Sequence, residues 1–202
     1  MTYSVTGNNS NAAVCRARLQ VGGATGTYLD LNAGDTLTCE GLTMSRSEFA
    51  GMVTYSVNVP YVVGKTYTVV LSRPGEGDYS STVELPSAIA GNVPIALTSY
   101  QKGSTISPTW TPSANGSDAM YIDLSYNYTN GSRMTLKSDA APENGNGIVF
   151  DATDTQVSPP GPAGNWAGTM TFTRSRSGTM SGSLSGVISA SQSVAVTIEL
   201  RD

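Results

Sequence analysis

Apolar and polar residues alternate in short segments along this chain, and clusters of glycine, proline, asparagine and serine separate them. The clearest segment spans 119–128. Met120, Ile122 and Leu124 fall on one face there, and Tyr121, Asp123 and Ser125 on the other. Upstream, 105–111 reads as a strand carrying Trp110, and a Pro/Ser/Asn/Gly/Asp turn joins the two. A strand tryptophan, a long turn and an alternating strand are how many β-sandwiches build their centre.

The first half has the same grammar. In 13–21, Cys15, Ala17, Leu19 and Val21 form the inward set, and in 36–39 Leu37 and Cys39 do. Further inward sets are Val53, Tyr55, Val57 and Val59; Tyr67, Val69 and Leu71; and Val83 and Leu85. A short strand is expected at 27–31. The Ser/Arg/Glu content of 42–49 suits a loop or one helical turn. Residues 1–11 read as a polar leader holding at most a short strand at 3–6.

The proline-bearing stretch 86–94 lacks periodicity and marks a boundary. Beyond it, strands are expected at 95–97, 134–138 and 147–151. The segment 166–174 has Met170 and Phe172 on one face. A Gly/Ser alternation follows around Met180 and Leu184, and 193–200 turns Val194, Val196, Ile198 and Leu200 inward. The expected fold is all-β, with two tandem immunoglobulin-like β-sandwich domains at 12–88 and 92–202 behind the leader 1–11.

Composition agrees with that reading: 22 glycines and 10 prolines punctuate β-branched and aromatic runs. Only 13% of residues are charged, but the 39% hydrophobic content is patterned, which argues against disorder. The net charge is −4 and the 11 basic residues are scattered, with Arg174 and Arg176 the densest spot. Nucleic acid is therefore not an expected partner. No apolar run approaches the ~18 residues of a membrane span. Met1-Thr2-Tyr3-Ser4 has no basic or apolar signal character, and the expectation is that a leader has been removed.

Cys15 and Cys39 are the only cysteines and histidine is absent, so a thiolate or imidazole metal site lacks ligands. The pair is expected to form a disulfide, which places the chain in an oxidising, extracytoplasmic compartment.

The spacing from Trp110 to Tyr121-Ile-Asp-Leu-Ser-Tyr126 resembles the B and C strands of fibronectin type III and immunoglobulin-like domains. Residues 92–202 as a whole are similar to a recurrent type of predicted exported bacterial protein. The similarity is carried by Thr109-Trp-Thr-Pro112, Ser117-Asp-Ala-Met120, Gly147-Ile-Val-Phe150, Thr171-Phe-Thr-Arg-Ser-Arg-Ser-Gly178 and Ile188-Ser-Ala-Ser-Gln192. It implies an envelope or secreted sandwich and brings no catalytic residues with it.

Without histidine, Ser-His-Asp and Cys-His nucleophile systems are excluded. Ser99-Tyr-Gln-Lys102 matches S-x-x-K but lacks the motif's companion elements and reads as coincidence. Glu84, Asp123 and Glu199 fall on outward strand faces, where solvation explains them. Asp139, Glu143, Asp151 and Asp154, with Asn144 and Asn146 between, offer oxygen ligands that suit Ca²⁺. Their spacing is not that of an EF-hand loop, and a solvated loop is the reading preferred. No other cofactor is expected.

Tyr121, Asp123, Tyr126, Tyr128 and Trp166 are the candidate binding face, because exposed aromatics stack on sugars or bury at protein interfaces. The expected function is a non-enzymatic extracytoplasmic structural or binding protein that is periplasmic, surface-bound or secreted. Its partner is a protein or glycan at a cell surface. The alternatives are a carbohydrate-binding or adhesive module, and a self-associating surface subunit that polymerises by adding segment 3–6 to a neighbour's sheet edge.

Overall fold

The alternating segments become strands. A computed structural model describes every residue other than 8–11, 23–25, 90–97, 128–132, 144, 147–148, 151–154, 156–164 and 202. In chain order the strands are β1 Thr2–Gly7, β2 Ala12–Arg18, β3 Gln20–Val21, β4 Thr27–Tyr28, β5 Thr36–Cys39, β6 Leu42–Thr43, β7 Ser45–Phe49 and β8 Met52–Pro60. They continue as β9 Thr66–Arg73, β10 Gly77–Glu84, β11 Thr98–Gln101, β12 Ala119–Asn127, β13 Arg133–Pro142, β14 Trp166–Ser177 and β15 Val187–Arg201. The chain is all-β, with several sheets.

It divides into two compact units: Met1–Ser87 with Ser175–Gln192, and Ala88–Arg174 with Ser193–Asp202. This differs from the expected 12–88 and 92–202. β14 and β15 are 12 and 15 residues long, and the end of one and the start of the other belong to the first unit. The expected boundary at 86–94 lies largely outside the described residues.

In the first unit, β15, β1, β2, β8 and β7 are neighbours in that order, and β10, β9, β5 and β6 form a second sheet. The inward faces meet in one core that includes Tyr3, Val5, Cys15, Ala17, Leu37, Cys39, Tyr67, Val69 and Leu71. Val21 departs from the expected set and stays exposed.

Within the expected polar leader 1–11, Thr2–Gly7 is a paired strand, and 8–11 lie outside the described residues. β1 pairs antiparallel with β2 and parallel with β15, and Tyr3 and Val5 are fully buried. Its polar residues alternate with these two, so a central strand looked like a polar tail. Segment 3–6 is thus already paired on both sides and is not free to add to a neighbour's sheet.

The stretch 42–49, ambiguous by composition, forms β6 and β7. Two turns impose this. Glu40-Gly41 has φ of 52° and 75° and joins β5 to β6, and Ala50-Gly51 has φ of 48° and 77° and joins β7 to β8. Two positive-φ residues in a two-residue loop make the turn whose twist matches paired strands.

In the second unit β13, β12, β14 and β15 lie in that order, with β11 parallel beside β15. The core gathers Met120, Ile122, Leu124, Tyr126, Trp166, Met170, Phe172, Ile198 and Leu200 from the strands, with Ile106, Trp110 and Phe150. Segment 105–111, expected as a strand, is irregular, with one isolated bridge from Ile106 to Phe150. Pro108 and Pro112 bracket Trp110 and remove ladder donors on both sides of it. Trp110 is nevertheless buried.

Candidate functional site

β12 alternates as expected up to a register shift between Leu124 and Ser125. Met120, Ile122 and Leu124 are buried, whereas Tyr121 is 41% exposed and Asp123 half-buried beside it. These two are the part of the candidate binding face that reaches solvent. Tyr126 and Trp166 do not, at 2% and 4% exposure. Strand parity explains both: Tyr126 shares the even-numbered face of β12 with Met120, and Trp166 that of β14 with Met170 and Phe172. The Lys102 ammonium sits 3.9 Å from the centre of the Trp166 ring, a cation–π contact that adds to the tryptophan's structural role. Tyr128 lies outside the described residues.

The buried Tyr126 hydroxyl finds no hydrogen-bond partner among the described residues, and burial pushes its phenol pKa up. Leaving a buried hydroxyl unpaired costs about 1–3 kcal/mol. Tyr126→Phe is therefore expected to hold or raise the melting temperature in a thermal unfolding scan. A drop of several degrees would show that the hydroxyl is bonded in solution.

The even-numbered face of β14 continues inward past Phe172 to Arg174 and Arg176, and both guanidiniums are buried. Arg174 Nη2 donates to Glu143 Oε1 at 2.6 Å and to the Thr111 carbonyl at 2.5 Å, and Nη1 donates to the Ala88 carbonyl at 3.0 Å. The same Glu143 oxygen accepts from Trp110 Nε1 at 3.1 Å and from the Ser113 N–H at 3.0 Å. Each side chain of this pair is 1% exposed. One carboxylate oxygen thus ties together three segments distant in sequence, a use of charge consistent with the cost of burying it unpaired.

Of the expected calcium set, Glu143 places Oε1 on Arg174, Trp110 and Ser113, while its Oε2 is buried with no hydrogen-bond partner among the described residues. Asp139 is opposite Ile122 on β13 by backbone register, and Asp151 and Asp154 lie outside the described residues. Among the described residues no group of three or more acidic, cysteine or histidine side chains is placed to hold a metal ion.

Glu84, outward as expected, forms an ion pair with Arg176, Nη1 to Oε1 2.5 Å. Glu199 pairs with Arg201 at 2.7 Å and accepts from the Ser99 hydroxyl at 3.1 Å, and these contacts lower its pKa. Ser99, the serine of the S-x-x-K match, is thereby engaged on β11.

The expected disulfide is not formed in this structure: Cys15 and Cys39 are both fully buried free thiols. They face each other from β2 in one sheet and β5 in the other, close enough for a hydrogen bond. That bond, first, and burial, second, push the Cys15 thiol pKa up.

An open cleft of about 530 Å³ is lined by Met1, Thr2, Gln20, Val21, Ser185 and Val187 among others. Val21 and Val187 are exposed there, and the Met1 ammonium donates to the Ser185 carbonyl at 2.8 Å.

No match to this chain was found among protein-family profiles, curated proteins or solved structures.

Proposed function

We propose that this chain is a non-enzymatic structural or binding protein of an extracytoplasmic setting, built from two divergent immunoglobulin-like units. The observation that carries the reading is where its candidate chemistry is spent. Glu143 holds Arg174, Trp110 and Ser113 together where both charged side chains are buried, and Glu84 and Glu199 are engaged with arginines on strand faces. A panel of glycoside, ester and peptide substrates tests it. Background rates throughout are expected, and turnover abolished by one carboxylate substitution in a folded variant would overturn the reading.

The facing thiols support the extracytoplasmic setting. An oxidising compartment would join Cys15 to Cys39 across the two sheets and close a loop of about 25 residues, which stabilises by about 3 kcal/mol in the chain-entropy model. Refolding with oxidised glutathione is expected to give a product lighter by two hydrogen atoms. Its urea midpoint should exceed that of the dithiol form. A refolded product that keeps both thiols would count against this setting.

A second reading, a carbohydrate-binding or adhesive module, is favoured by one observation. Tyr121 is exposed beside Asp123 on the outer face of a strand whose inner face is fully buried. Such an aromatic–carboxylate pair suits a sugar ring. A glycan array on which Tyr121→Ala binds no worse than the unmodified protein would remove it.

A further inference from the structure

Among the described residues β7 is the last strand of its sheet, and all five of its residues, Ser45 to Phe49, are exposed. We propose that this edge pairs with the β7 of a second copy of the chain, antiparallel and centred on Ser47, giving a two-fold dimer. The inference does not depend on what the outer face of β12 binds.

Backbone geometry limits the registers. β7 and β8 are closed by the two-residue turn Ala50-Gly51, with Phe49 opposite Met52. The pair flanking such a turn exchanges hydrogen bonds, and hydrogen-bonded pairs then alternate along the hairpin. Phe49, Ser47 and Ser45 therefore direct their backbone groups toward β8. Arg46 and Glu48, opposite Tyr55 and Val53, direct theirs outward to the open edge.

A second antiparallel strand must match those outward groups. Centring the pair on Arg46 sets Arg46 against Arg46, and centring it on Glu48 sets Glu48 against Glu48. Like charges directly opposite are destabilising. Centring on Ser47 sets each Arg46 against Glu48 of the second copy. That one register satisfies the outward N–H and C=O groups of both residues and pairs opposite charges twice. A surface complementary to itself about a two-fold axis calls for a second copy as its partner.

The side chains are prepared for this. Arg46 is held by Asp30 through Nε at 2.6 Å and Nη2 at 2.8 Å, and Asp30 also accepts from the Tyr55 hydroxyl at 2.8 Å. These contacts lower the Asp30 pKa to about 2, so the carboxylate stays charged across neutral pH. The same guanidinium already reaches its own Glu48 at 2.7 Å, on the face where Glu48 of the second copy would arrive. On the opposite face Phe49, 78% exposed, would lie against Ser45 of the second copy. Charged residues on an edge strand can also serve only to keep the edge solvated. In that case the protein stays monomeric.

Cross-linking decides between the two. At the centre of the pair, Ser47 faces its own copy as a non-hydrogen-bonded pair with Cα atoms about 4.5 Å apart, within disulfide reach. Ser47→Cys in the full chain, treated with oxidised glutathione, is expected to give a covalent dimer. Two thiols lose two electrons and two protons, and the oxidant becomes two glutathione thiols. Ser45→Cys, whose symmetry mate lies at the far end of the strand pair, is expected to cross-link at least tenfold more slowly. Sedimentation velocity across a concentration series should show wild-type dimer, loss of dimer in Arg46→Glu, and its return in Arg46→Glu/Glu48→Arg. Circular dichroism checks that each variant is folded. A monomeric wild type, equal cross-linking of the two cysteine variants, or no rescue by the charge swap would each overturn the proposal.

Discussion

Replacing Gly168 by alanine is expected to destabilise the second unit by about 2–3 kcal/mol, within the range for overpacking a filled core. Gly168 lies on the inward face of β14 between Trp166 and Met170, and the Tyr126 ring of the neighbouring β12 lies against its backbone. An added Cβ would sit 2.5 Å from Tyr126 Cε1 and 2.8 Å from the Ser125 carbonyl oxygen. The ring would have to leave a site where it is 2% exposed, and the carbonyl belongs to a paired strand and cannot withdraw. Restricting the unfolded chain returns only about 0.4–1 kcal/mol. Urea denaturation should show the loss. Gly182→Ala, where an added Cβ meets nothing within 4 Å, should change the midpoint little.

Glu143→Ala is expected to cost more, about 3–5 kcal/mol, the usual penalty for breaking a buried ion pair from one side. The substitution takes from Arg174 its carboxylate and leaves Trp110 Nε1 and the Ser113 N–H without their acceptor. Glu84→Ala offers the contrast. The Glu84 carboxylate is 43% exposed, so water can replace much of what it gives Arg176, and about 1 kcal/mol or less is expected. Equal losses for Glu143→Ala and Glu84→Ala would show that burial is not what sets the cost.

Much of the fold could be read from alternation alone. The inward sets of β5, β9 and β12 fall where the pattern puts them, and Cys15 and Cys39 do meet in the core. Parity also held information about the site. Tyr126 and Trp166 occupy even-numbered positions among buried neighbours, so the same alternation that built the core places them inside it. Extending it two steps past Phe172 puts Arg174 and Arg176 inside too, where each needs an acidic partner.

The choice of Glu143 was not legible. It stands 31 residues from Arg174 in sequence, in a stretch whose Asn-Gly-Asn-Gly composition reads as turn chemistry. Nor was the place of β1, because its parallel pairing with β15 joins the two ends of the chain and leaves no local signature. The strands at 42–49 were hidden for another reason. β7 has no buried face, so hairpin geometry holds it and hydrophobic periodicity does not mark it.

The central claim is that the charged groups offering chemistry are instead spent on holding the fold. A double-mutant cycle of Glu143→Gln and Arg174→Met, read by urea denaturation, tests it most directly. Each single change should destabilise strongly. The double variant should lose less than the sum of the two, by about 2 kcal/mol, as residues sharing one buried network do. Additive losses, or a Glu143→Gln protein more stable than the parent as often follows when a strained functional residue is replaced, would contradict the account.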